Sequence, residues 1–118
     1  QDLKKQLPNL LILLAGRGVL QKTIAEQIVE NELSEFVTLL GFKEDIHEWI
    51  QLSDIGISSS KQEGLGLNLI EEMMCGLPVI ATKDRGHLEI VNPGRNGFLF
   101  SHRDKNSFIE YAKMLASN

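Results

Sequence analysis

Leu10-Leu11-Ile12-Leu13-Leu14-Ala15-Gly16-Arg17-Gly18 is the stretch that decides the fold class. Leu10 to Ala15 are apolar without a break, the pattern of a parallel strand covered on both faces. Gly16-Arg17-Gly18 closes the run. From Val19 to Leu33, Leu20, Ile24, Ile28 and Val29 then recur at helical spacing. Strand, glycine turn and helix together open a βαβ unit.

The same sentence is repeated downstream. Phe36–Leu40 reads as a strand closed by Gly41, and Ile46, Trp49, Ile50 and Leu52 mark a short helix with Trp49 in the core. Asp54–Ser58 reads as a strand, followed by a loop through Gly64 and a helix over Gly66–Cys75. Gly76 stands at a left-handed cap position with Pro78 soon after. Pro78–Thr82 and Gly97–Phe100 are further strands, with a helical turn at His87–Val91 between them. Ser107–Ala116 closes the chain as a helix carrying Phe108, Tyr111, Ala112 and Leu115 on one face. Short alternation of strands and helices predicts an α/β, Rossmann-like three-layer domain with a parallel sheet. Ligands of such sheets sit outside the carboxyl ends of the strands, which selects the loops 16–18, 58–66 and 82–86.

Composition narrows the function. The 118 residues suffice for one domain, here 1–118, and 42% of them are hydrophobic. Net charge is -4 with no clustered basic face, so nucleic acid is not an expected partner. The single cysteine, Cys75, allows no internal disulfide and no zinc-ligand set, and its helical spacing reads as a small buried hydrophobe. No apolar run approaches the ~20 residues of a transmembrane helix, and a cytoplasmic location is expected. Gln1 to Leu7 looks like the end of a helix whose start lies upstream, so the chain is expected to be part of a longer one, lacking its first strand.

Chemistry concentrates in Ser58-Ser59-Ser60-Lys61-Gln62-Glu63-Gly64-Leu65-Gly66 and the helix it launches. Two glycines flanking Leu65 let backbone approach a ligand. The helix beginning near Leu67 turns free N–H groups and a positive dipole end towards it, which suits a phosphate or a sugar hydroxyl. Asn68, Glu71, Glu72 and Cys75 form one stripe on that helix. Glu71, one turn in, could accept hydrogen bonds from a diol such as ribose, or the two glutamates could be a solvated face. His87 sits in the third cleft loop, either in functional contact or as a cap or exposed residue. His47 and His102 read as surface.

Glu63-Gly64-Leu65-Gly66-Leu67-Asn68-Leu69-Ile70-Glu71 resembles the Glu-x7-Glu signature of family 4 retaining glycosyltransferases, which have the GT-B fold. The resemblance runs on through Glu72-Met73-Met74-Cys75-Gly76-Leu77-Pro78-Val79-Ile80-Ala81-Thr82, Arg85-Gly86-His87-Leu88-Glu89-Ile90-Val91 and Asn96-Gly97-Phe98-Leu99. The Arg-Gly-His form is similar to bacterial capsule and exopolysaccharide transferases. Upstream, Leu14-Ala15-Gly16-Arg17-Gly18 and Leu39-Leu40-Gly41-Phe42 resemble the family's glycine turn and next strand end. Glu72 and Met74 depart from it, standing where small alanines are usual.

The resemblance implies the C-terminal, nucleotide-sugar-binding half of a GT-B enzyme. Glu71 would hold the donor ribose and Glu63, the candidate catalytic residue, would meet the transferred hexose. Backbone at Gly64, Leu65, Gly66 and Leu67 would contact sugar and diphosphate. Gly16 and Gly18 would approach the nucleotide and Gly41 the base, while Arg85 would contact phosphate or stay solvated. The implied reaction is retaining hexosyl transfer to an acceptor hydroxyl, with a UDP-sugar as co-substrate and neither a cofactor nor a metal. Basic residues for the diphosphate, and an N-terminal domain for a sugar or lipid-linked acceptor, are expected upstream. A location against the inner face of the plasma membrane is implied by the same branch. Two alternatives remain, a non-catalytic nucleotide-binding or regulatory module and a purely structural interaction domain.

Overall fold

The computed structural model describes residues 2–16, 18–59 and 67–117, with backbone alone at Leu67 and Arg85. The chain divides into two compact units, Gln1–Ile46 and His47–Asn118. Among the described residues all strand pairings are parallel, in two sheets, one per unit.

The first unit contains α1 (Asp2–Gln6), β1 (Ile12–Ala15), α2 (Gln21–Glu30) and β2 (Val37–Gly41). Ile12, Leu13 and Leu14 pair with Val37, Thr38 and Leu39, after which the register slips so that Ala15 meets Gly41. Lys4 ties the first helix down: its Nζ donates to the Glu32 carbonyl at 2.9 Å and lies 5.1 Å from the Phe36 ring centroid, a cation–π distance. The continuous apolar run of β1 predicts cover on both faces, and here the expectation fails. Leu11 is 56% and Leu14 39% exposed. Among the described residues β1 bonds to a strand on one side alone, and α2 buries no residue, leaving Leu20 and Val29 exposed.

Most of the core lies in the second unit. After α3 (Ile46–Leu52) come β3 (Gly56–Ser58), α4 (Leu67–Met74), β4 (Val79–Thr82), α5 (Arg85–Ile90), β5 (Gly97–Phe100) and α6 (Lys105–Ala116), with strand order β3-β4-β5. All four residues of β4 are buried, as a central strand covered on both faces requires. Strand parity separates the two faces. Val79, Ala81 and Leu99 cluster with Leu69 of α4, Val91, and the partly buried Met73 and Ile90. The opposite face carries α6, where Phe98 stacks on Tyr111 with ring centroids 4.5 Å apart and Phe100 tilts against Phe108 at 5.2 Å. Helix, sheet and helix form the three expected layers. Leu69 is completely buried, so its truncation to alanine costs about 2–5 kcal/mol.

The helix ends follow the sequence. Gly76, at φ +86°, closes α4 with its N–H on the Met73 carbonyl at 2.9 Å, while Leu77 N–H reaches the Glu72 carbonyl at 3.1 Å. That double bond pattern is a Schellman cap, which favours glycine because a Cβ is strained there. Asp84 caps α5 through the Gly86 N–H, and Asp104 caps α6 through the Ser107 N–H.

Candidate functional site

The carboxyl edge of the second unit's sheet is built by β3 and β4. Ser58, 5% exposed, ends β3 opposite Ala81, so Thr82 stands one step beyond it on the neighbouring strand. The chain enters α5 at Arg85, close after the end of β4, and α4 at Leu67, after the segment that follows β3. Glu63, Gly64, Leu65 and Gly66 lie outside the described residues, as do the side chains of Leu67 and Arg85.

The two glutamates of α4 part company. The Glu71 side chain is 41% exposed, and its Oε2 lies 4.0 Å from Nε2 of His47 on α3, whose side chain is 67% exposed. An open pair at that distance is weak, so the Glu71 carboxylate keeps its capacity to accept hydrogen bonds from a ligand. Glu72 turns inward. Its Oε2 is buried with no hydrogen-bond partner among the described residues, beside Gly56, where an added Cβ would fall 2.7 Å from the Glu72 Cδ. Burial, and secondarily the charge of Glu71, push its carboxyl from the ordinary 4.5 up to about 7. The polar stripe expected on α4 is therefore split. Spacing carried the warning, since Glu72 follows Leu69 by three residues and shares the buried flank of the helix.

His87 is fully buried. It is neither the cap of α5, a role taken by Asp84, nor exposed. Nδ1 lies 2.8 Å from the Thr82 carbonyl oxygen and 3.3 Å from Thr82 Oγ1, while Nε2 is buried with no partner among the described residues. No periodicity in the sequence marks this ring as interior, since Leu88 and Glu89 beside it are exposed.

In the first unit the predicted glycines do meet. Gly16 donates its N–H to the Gly41 carbonyl at 2.7 Å, with φ +120° and +71° at the two residues. A Cβ at either would touch nothing within 4 Å, so backbone conformation, and not crowding, calls for glycine there. The Gly18 carbonyl accepts from the Gln21 N–H at 3.2 Å. Elsewhere, Cys75 is a half-buried free thiol, less buried than its spacing predicts, and His47 and His102 are exposed as expected. Among the described residues no three of His, Cys, Asp and Glu gather closely enough to hold a metal ion. No described helix is long and apolar enough to cross a membrane.

Comparison with known proteins agrees with this architecture. EpsD of Bacillus subtilis, named as a glycosyltransferase, is 41% identical over 113 residues, which cover 96% of this chain and 30% of that protein. A UDP-Gal:alpha-D-GlcNAc-diphosphoundecaprenol alpha-1,3-galactosyltransferase of Escherichia coli is 29% identical, with 87% and 27% covered. Among solved structures, Anabaena HepE in complex with UDP superposes with a TM-score of 0.87 at 29% identity, over 98% of this chain and 34% of that one. The chain thus spans about a third or less of the relatives it matches. These relatives share the Rossmann-like α/β fold of GT-B glycosyltransferases. The sequence model of the group 1 glycosyl transferases matches residues 1–118, and with parallel strand pairing throughout the described sheets, the chain belongs to that family.

Proposed function

We propose that this chain is the donor-binding part of a retaining glycosyltransferase that moves a hexosyl group from a UDP-sugar to an acceptor hydroxyl in cell-surface polysaccharide biosynthesis. One observation carries the reading: an exposed carboxylate, Glu71, stands one turn into the helix that leaves the sheet's carboxyl edge, where α/β folds take nucleotides. Glu71 accepts from the ribose diol, and Glu63 meets the sugar near its reacting face. The amides of residues 64–67, with the N-terminal dipole of α4, face the diphosphate, and Gly16, Gly18 and Gly41 give the nucleotide close passage over backbone. Arg85 is a further phosphate contact.

The transition state resembles an oxocarbenium ion leaving a diphosphate, so its stabilisation falls to preorganised N–H dipoles and cations. Basic residues from the remainder of the protein complete that charge balance, and a separate domain presents a sugar or lipid-linked acceptor on the cytoplasmic side of the membrane. Solved relatives support the donor class, since HepE is known in complex with UDP and with UDP-glucose.

The test is transfer by the natural protein that carries this segment, assayed with UDP-glucose, UDP-galactose and UDP-N-acetylglucosamine, with the product's anomeric configuration read by NMR. Retention, and loss of transfer with kept UDP binding in Glu63→Gln, is the expected result. An inverted product, or full transfer by that variant, contradicts it.

A further inference from the structure

His87 is held from one side. The Thr82 carbonyl can only accept, so Nδ1, at 2.8 Å, carries a hydrogen and donates it. In the neutral ring Nε2 is then a bare lone pair, an acceptor. That atom is sealed from solvent, and no described group donates to it. A buried acceptor left unmet is costly, and buried polar atoms without partners are uncommon enough to demand a reason. Packing offers none, because a leucine or phenylalanine fills space without an orphaned nitrogen. Nor does the bond to Thr82 explain the ring, since an asparagine amide could make it.

Position supplies the reason. Thr82 ends β4 one step beyond the residue opposite Ser58, so the ring is anchored at the carboxyl edge where parallel sheets take ligands. An acceptor there suits a hydroxyl and does not suit a phosphate, whose oxygens also accept. We propose that His87 Nε2 accepts a hydrogen bond from a hydroxyl of the transferred sugar when the donor is bound, an inference that rests on the donor-binding reading above. The fixed Nδ1 bond orients the lone pair in advance, and the contact requires Nε2, sealed in the free protein, to be uncovered when the donor binds. His87 is in this way a sugar-reading residue, distinct from those that hold the nucleotide.

Two measurements on the natural protein test this. Imidazole 15N spectra of the wild type are recorded free, with UDP, and with the tightest-binding of UDP-glucose, UDP-galactose and UDP-N-acetylglucosamine. The His87 Nε2 resonance should stay at its free-acceptor position with UDP and move to a hydrogen-bonded one with the UDP-sugar. His87→Asn keeps a donor for the Thr82 carbonyl and removes Nε2. It should bind UDP as the wild type does and bind the UDP-sugar about tenfold more weakly. One deoxy-sugar donor should bind wild type and variant equally.

A resonance unmoved by UDP-sugar overturns the inference. Undiminished UDP-sugar affinity in His87→Asn does so too, as does an equal loss for UDP and UDP-sugar. Should the variant misfold, the wild-type spectra decide. A wild type that binds neither UDP nor any of the three sugars would sink the donor-binding reading itself, whereas binding of both with a silent His87 sinks this inference alone.

Discussion

Replacing Glu72 with glutamine should stabilise the protein at alkaline pH and leave it unchanged in acid. The folded chain keeps the Glu72 proton up to about pH 7, while the unfolded chain releases it near 4.5. Between those values the native state binds a proton that the unfolded state has lost, so stability falls as pH rises. Each pH unit is worth about 1.4 kcal/mol, which sets a ceiling of about 3 kcal/mol across the window from 4.5 to about 7. Solvent reaches part of this carboxylate, and its screening reduces the expected effect to about 1–2 kcal/mol. Glutamine retains the shape and never ionises. Urea unfolding of wild type and Glu72→Gln from pH 4 to pH 8.5 should show a difference near zero at the acid end, growing through neutrality to about 1–2 kcal/mol above pH 8. A variant no more stable than wild type at pH 8, or a margin equal at pH 4 and pH 8, would refute the assignment of a buried, proton-holding Glu72.

Gly97→Ala should be the more damaging of two alanine substitutions in β strands. Its Cβ would overlap the Val79 carbonyl and lie 2.7 Å from Val79 Cγ2, costing about 1–3 kcal/mol in denaturant titrations. Gly56→Ala meets mainly the movable Glu72 carboxylate and should cost less, while driving Glu72 outward and abolishing the pH dependence described above. Gly76→Ala, at φ +86°, should cost about 1 kcal/mol by the same titration. Asp104 is held below the usual carboxylate range, first by the Ser107 hydroxyl and then by its N–H. The stabilisation from this cap is present above the unfolded carboxylate range and disappears as pH falls through the lower folded value. Asp104→Ala should accordingly lower the thermal midpoint at pH 7 and lose that effect in strong acid.

Much of the architecture was legible because its signals are local. Gly97–Phe100 reads as a strand from its apolar run and is one. Gly76 announces the end of α4, because a left-handed cap has a residue type of its own. Burial was less legible, because it depends on partners distant in sequence. The apolar run of β1 looks like a doubly covered strand, yet Leu14 stays 39% exposed, since nothing in the run tells what covers it. Glu71 and Glu72 are chemically identical neighbours, and 100° of helical rotation separates an open carboxylate from a buried one. His87 escaped for a similar reason: its burial follows from the turn at Lys83 and Asp84 that folds α5 back over Thr82. The first carboxylate of the signature, Glu63, was legible as a motif and lies outside the described residues.

Isothermal titration of UDP into the natural protein, wild type against Glu71→Gln, tests the donor-binding account most directly. Loss of charge-assisted bonds to the ribose should weaken UDP by about tenfold to a hundredfold, while urea unfolding shows the variant at least as stable as the wild type, because the Glu71 side chain is 41% exposed and its charge burdens the buried Glu72. UDP affinity equal in the two proteins would contradict the account.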